Sequence, residues 1–178
     1  MADFDLRPVR PEDAADVAAL IRAAFAAQSV LTDPPPSALR VTEADIAAYL
    51  RVGGGAVAEA AGVLAGSVLW LEQIGALYLA RLAVAPSWRR CGIGKALVTA
   101  AETAARTIGQ PRIRLSTRLV LLDNRRLFAA CGFVETGRAA HPGYAEPTFV
   151  NMEKTLARPL AGPARAPAAP QAGGETQA

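Results

Sequence analysis

The chain has 178 residues, 52% hydrophobic and 20% charged, with a formal net charge of +3. That length suits one domain with a real core, and the composition excludes wholesale disorder. The longest apolar run, Val63 to Leu71, is too short for a bilayer span, so no membrane role is expected.

Phe4 to Val9 reads as a first strand. Pro11-Glu12-Asp13 then opens a helix whose apolar stripe is Val17, Leu20, Ile21 and Phe25. A stiff loop over Gln28 to Arg40 contains Asp33-Pro34-Pro35-Pro36. Thr42, with Asp45 three residues on, caps a second helix that Gly53-Gly54-Gly55 ends. Strands follow at Ala56 to Ala60, Val63 to Leu71 and, after a hairpin turn near Gly75, Leu77 to Val84. Gly92 to Ile108 reads as a long helix, 112–117 as an alternating strand, Asp123 to Ala130 as a short helix. Phe133 to Gly137 and Phe149 to Leu156 are the last strands. The order βααβββαβαββ predicts an α/β domain over 1–156 on a mixed sheet. From Ala157 to Ala178 the chain is mostly Ala, Pro and Gly, and is expected to be a disordered tail.

Charge is unevenly placed. Residues 1–80 hold 5 basic and 10 acidic side chains, whereas 81–126 hold 10 and 2. The basic stretch suggests an anionic ligand met there. Within it, the strand end Leu82-Ala83-Val84 leads through Arg89-Arg90-Cys91-Gly92-Ile93-Gly94 to a helix beginning near Lys95. Such a junction aims unpaired N–H groups and a helix dipole at one point, and three cationic side chains add to it, making a pyrophosphate cradle. A Walker A loop is excluded because Ala96 follows Gly94-Lys95, and a dinucleotide fingerprint because Leu97 stands where a small residue is needed. With Cys91 and Cys131 the sole cysteines and His141 the sole histidine, neither a disulfide scaffold nor a metal site is expected.

Arg89-x-x-Gly92-x-Gly94, preceded by Leu82-Ala83-Val84-Ala85-Pro86, resembles the acetyl-CoA-binding signature of the Gcn5-related N-acetyltransferases, the GNAT family. Asn124 to Phe133 is similar to a second family region, the one that ends in a Gly-Phe pair. The resemblance implies a GNAT fold of about seven strands, and a V-shaped opening between the strand ending at Val84 and that at 112–117. Acetyl-CoA would be the co-substrate. Leu82-Ala83-Val84 would meet its pantetheine arm. Arg89, Arg90, Cys91, Gly92, Ile93, Gly94 and Lys95 would hold its pyrophosphate. Asn124 would touch the pantetheine or phosphate region, unless it is simply a turn or cap residue. Phe128, also on the cofactor side, stands where the family commonly has a tyrosine acid.

Counting back by twos from Val84 puts Leu82, Ala80 and Tyr78 on one face, which makes Tyr78 a catalytic candidate or a core aromatic. A hairpin centred on Gly75 sets Glu72 across from Tyr78, as a candidate base or a solvated edge residue. His141-Pro142-Gly143-Tyr144 lies in a loop that the resemblance sets beside the acceptor; His141 is a candidate for binding the amine and Tyr144 for catalysis, or the segment is a surface turn. Trp88 covers either the cofactor or the sheet end.

The leading reading is an N-acetyltransferase acting by direct attack of a primary amine, carried by a small molecule or a peptide, in a ternary complex. The excess of acid in 1–80 favours a cationic amine. The alternative is a catalytically weak acyl-CoA sensor or scaffold of the same fold. No nucleic-acid partner is expected, since the basic stretch has no aromatic platform. Few cysteines and an acidic N-terminus unlike a secretory signal point to the cytoplasm, and family practice allows a homodimer.

Overall fold

A computed structural model describes residues 3–157, so all but the first residue of the expected tail lies outside the described residues. Seven strands form one sheet: β1 (Asp5–Pro8), β2 (Gly53–Ala60), β3 (Val63–Gln73), β4 (Ala76–Val84), β5 (Arg112–Arg118), β6 (Val134–Ala139) and β7 (Phe149–Thr155). Their spatial order is β1-β2-β3-β4-β5-β7-β6, and every pairing is antiparallel except β4 with β5. Four α-helices complete the domain: α1 (Ala14–Ala26), α2 (Glu43–Val52), α3 (Ile93–Thr107) and α4 (Leu122–Ala130). This is the predicted order and class.

Each sheet face has its own core. Val57, Leu69 and Ala83 pack with Val17, Ile21 and Ile46 of α1 and α2. Val68, Leu77 and Leu79 pack on the other side with Ile93, Leu97 and Val98 of α3 and Phe128 of α4. The stripe of α3 runs through Ile93, Leu97, Ala101 and Ala105, the spacing of one helical face. At Gly66 a Cβ would sit 2.7 Å from Ile93 Cγ2 and 3.0 Å from Leu97 Cδ1, so the absent side chain lets α3 lie flush on β3. Lys154 on β7 holds the same helix, donating to Glu102 at 2.6 Å and to the Cys131 carbonyl at 2.7 Å.

Three local readings change. The glycine triplet does not merely end α2; it begins β2, pairing with Leu69, Trp70 and Leu71. A Cβ at Gly53 would lie 2.0 Å from the Trp70 carbonyl oxygen, so no other residue fits that approach. The β3–β4 turn is Ile74-Gly75 rather than one centred on Gly75, so Glu72 pairs with Leu77 and Tyr78 with Leu71. Finally, Arg81 adopts φ +53 and, with Leu82, opposes the single residue Val68. That bulge breaks the period of two. Tyr78 and Ala80 therefore face α1 and α2 with Leu69, while Leu82 and Val84 pack against the α3 core.

Candidate active site

β4 and β5 pair only at Leu77–Ile113 and Tyr78–Arg114. Beyond those pairs β4 stays on β3 as far as Val84, and β5 stays on β7 as far as Arg118. The two central strands therefore diverge, and a cleft opens in the middle of the sheet. It has two sections that share Phe25, Gln28, Leu82, Leu121, Asn124 and Phe128.

The larger section, about 850 Å³, is walled by the end of β4, the loop before α3, and α4. Gly92 has φ +85 and Arg90 φ +63, left-handed conformations that turn the chain sharply into α3. The first bond inside the helix runs from the Ala96 amide to the Gly92 carbonyl. The preceding amides, those of Gly92 to Lys95, therefore have no intrahelical acceptor and mark the positive end of the helix. Arg90 and Lys95 are exposed and make no ion pair among the described residues. Arg126 adds a third cation, paired at 3.2 Å with the exposed Asp123. Trp88, Ile93 and Gly94 also line this section; the Cys91 thiol faces away into its own loop, donating to the Arg89 carbonyl at 3.6 Å.

Arg89 is used differently from the sequence expectation. Its guanidinium donates to the carbonyls of Ala24 at 2.8 Å and Ala27 at 3.0 Å, the last turn of α1. It ties the loop to α1, and Arg90 and Lys95 are left as the free cations of the predicted set.

The smaller section, about 480 Å³, lies between β4 and β5 toward the loop after α1. Tyr78, Tyr49, Arg81, Arg118 and His141 line it, and no carboxylate does. The acidic excess of 1–80 is thus spent elsewhere. Asp13 and Glu59 bind Arg7, Asp45 caps α2, and Glu72 is exposed outside the cleft. Glu72 is accordingly not brought to Tyr78 or to the site.

His141 Nδ1 faces the Arg118 guanidinium at 3.1 Å and the Thr148 hydroxyl. Arg118 can only donate, so Nδ1 is the acceptor and the ring proton sits on Nε2. Burial, then the Arg118 charge, lowers the His141 pKa below its ordinary value, which keeps the ring neutral. Its basic lone pair is already engaged. Tyr144 donates its hydroxyl proton to Asp33 Oδ1, and that bond raises the Tyr144 pKa. Phe128 is buried, edge-to-face with Phe133 at 5.8 Å between ring centroids, and has no proton to give.

Sequence reasoning missed Phe25 near the end of α1 and, above all, Arg81 and Arg118. Only the strand divergence brings these together.

The chain matches the family model described as Acetyltransferase (GNAT) family over residues 21–133. It belongs to the GNAT acetyltransferase family. Among solved structures, yncA from Salmonella typhimurium, assigned as an acetyltransferase and solved with its cofactor acetyl-CoA, is similar at 16% identity and TM-score 0.68. That match covers 89% of this chain and 96% of the other. The ribosomal-protein-S18-alanine N-acetyltransferase from Escherichia coli gives 18% identity and TM-score 0.68, covering 91% and 98%. A GCN5-related N-acetyltransferase from Rhodopseudomonas palustris gives 26% identity and TM-score 0.70, covering 88% and 98%. No curated protein matches the chain in sequence. No helix among the described residues is long and apolar enough to cross a membrane.

Proposed function

We propose that the protein is an N-acetyltransferase that moves an acetyl group from acetyl-CoA to a primary amine. The observation that carries this reading is that the edge of β4 freed by its divergence from β5 and the unpaired amides of the α3 N-terminus line one section of the cleft. The larger section suits the co-substrate on chemical grounds. Four consecutive amides without intrahelical acceptors, flanked by Arg90 and Lys95, form a cradle for a pyrophosphate. Leu82 to Val84 offer an open strand edge for the amide-bearing pantetheine arm, and Asn124 and Phe128 stand at the junction of the two sections.

Bound acetyl-CoA supplies a thioester that the amine attacks directly in a ternary complex: a C–N bond forms, the C–S bond breaks, and CoA leaves as a thiolate. The chain's own contribution is position and field. The β4–β5 opening lines the amine up with Leu82 and Asn124, where the two sections meet. The acceptor's ammonium sheds its proton to water before the attack, since the wall of the smaller section has no carboxylate to act as base. Of the tyrosines, Tyr78 stands at the narrow end of the opening, whereas the Tyr144 proton is held by Asp33.

The test is release of free CoA from acetyl-CoA across amines, polyamines, aminoglycosides and peptides, with the acetylated product identified by mass. Acceptor-dependent release with a matching N-acetyl product is expected. Acetyl-CoA binding without release from any acceptor would instead favour the sensor reading.

A further inference from the structure

The acceptor half of the cleft has a distinct charge character. Its charged lining groups are Arg81 and Arg118, contributed by the two strands that diverge. Both guanidinium groups are anchored on the same loop. Arg81 Nη2 donates to Ser37 Oγ at 3.0 Å, and Arg118 Nη2 to the Pro35 carbonyl at 3.5 Å. Neither forms an ion pair among the described residues, whereas Arg7, Arg112, Arg114 and Arg125 each meet a carboxylate within 3.3 Å. The Arg81 charge acts on Asp45, and Tyr144 and Asp33 act on Arg118. Asp45 accepts from Thr42 and Asp33 from Tyr144, and neither lines the cavity.

Arg81 occupies a left-handed backbone conformation, φ +53, in the middle of a strand. The bulge turns this side chain out of the strand alternation and into the cleft wall.

From this pair of arginines, which line one cavity from both diverging strands without a carboxylate partner in its wall, we infer that the amine acceptor carries an oxyanion of its own, held between Arg81 and Arg118. This rests on the acetyltransferase reading above. A carboxylate fits the planar donor fork of Arg, and a cavity of about 480 Å³ suits a small aminocarboxylate such as a free amino acid. The amine end would then point toward Leu82 and Asn124, where the two sections join.

The experiment uses matched probes: free L-amino acids against their α-amides, and O-phosphoethanolamine against ethanolamine. The rate of CoA release is measured for each. Binding of the N-acetyl amino acids and their amides to the protein without acetyl-CoA is measured by calorimetry. Wild-type protein is expected to prefer the carboxylate over the amide by roughly 10- to 100-fold, the worth of one charge-assisted hydrogen bond. Preference for phosphoethanolamine over ethanolamine, without one for carboxylates, would keep the oxyanion and assign it as phosphate. In Arg118→Gln and Arg81→Gln the preference should fall toward unity, and Arg118→Lys should recover part of it. A purely structural role would lower both members of each pair equally and leave the ratio unchanged, which overturns the inference. Equal or better use of the neutral probes by wild type overturns it as well. If acetyl-CoA does not bind, the acetyltransferase reading fails, and the calorimetric preference still decides whether the anion site exists.

Discussion

The Arg89 guanidinium donates to the Ala24 carbonyl at 2.8 Å, fastening the loop before α3 to the end of α1. With its second bond to Ala27 it satisfies two of the carbonyls that a helix C-terminus leaves without partners. The loop before α3 is thereby tied to the wall formed by Phe25 and Gln28. Replacement by alanine should lower stability by about 1 kcal/mol and weaken acetyl-CoA binding, whereas lysine, with a single donor point, should restore only part. Calorimetric titration with a denaturant curve on each variant checks this. Undiminished acetyl-CoA affinity in Arg89→Ala would separate the tether from the binding site.

Gly92 and Gly94 should respond differently to alanine. At Gly92 nothing lies within 4 Å of an added Cβ, but φ is +85, so the cost is backbone strain of about 1–2 kcal/mol. At Gly94 the conformation is ordinary, and a Cβ would meet Leu127 Cδ2 at 3.3 Å, a contact that a small shift relieves. Urea midpoints should therefore fall further for Gly92→Ala than for Gly94→Ala.

Tyr144 and Asp33 lie 111 positions apart in the chain, and their bond closes the β6–β7 loop onto the loop after α1. If Tyr144 serves this closure alone, Tyr144→Phe raises the acceptor KM several-fold and leaves kcat within about threefold of wild type. Loss of a general acid would cost about 100- to 10,000-fold in kcat instead. Steady-state kinetics on the variant separates the two.

The pH response of stability follows from His141. Its folded pKa lies below the ordinary value of 6.5, because burial and Arg118 both oppose the charged ring. Unfolded chains then bind more protons than folded ones as the pH drops below 6.5, so stability from this group is present above 6.5 and is lost toward the folded pKa. Thermal melts should show that loss in wild type and not in His141→Gln.

Lys154 and Glu102 join β7 to α3, with side chains only 23% and 10% exposed. Lys154→Met leaves the largely buried Glu102 carboxylate with Arg106 alone, at 3.4 Å, as its charged partner and should destabilise by about 2 kcal/mol. Adding Glu102→Gln should return part of that loss, because the weakly paired charge is removed. Denaturation of the single and double variants gives the coupling directly.

Much of the architecture is legible in the chain because hydrophobic period and turn chemistry agree. Ile113, Leu115 and Thr117 are buried in strict alternation, and Thr42 with Asp45 forms a true capping box. The glycine loop is equally readable, since few other sequences turn a strand into a helix with free amides. What escapes is long-range or depends on a single bulge. Arg81's left-handed backbone reverses the faces assigned by counting from Val84, and a two-residue turn at Ile74-Gly75 moves Glu72 away from Tyr78. Arg118 and Arg81 are 37 positions apart with no local signal connecting them. Arg89 reads as a phosphate ligand until the end of α1 is seen beside it.

Acetyl-CoA seated in the β4–β5 opening with its pyrophosphate on α3 should leave a footprint in backbone hydrogen exchange measured with and without acetyl-CoA. Exchange should slow at Leu82 to Val84 and Arg90 to Lys95, with β1 and β6 unchanged. Protection elsewhere, or none at saturating acetyl-CoA, would rule this placement out.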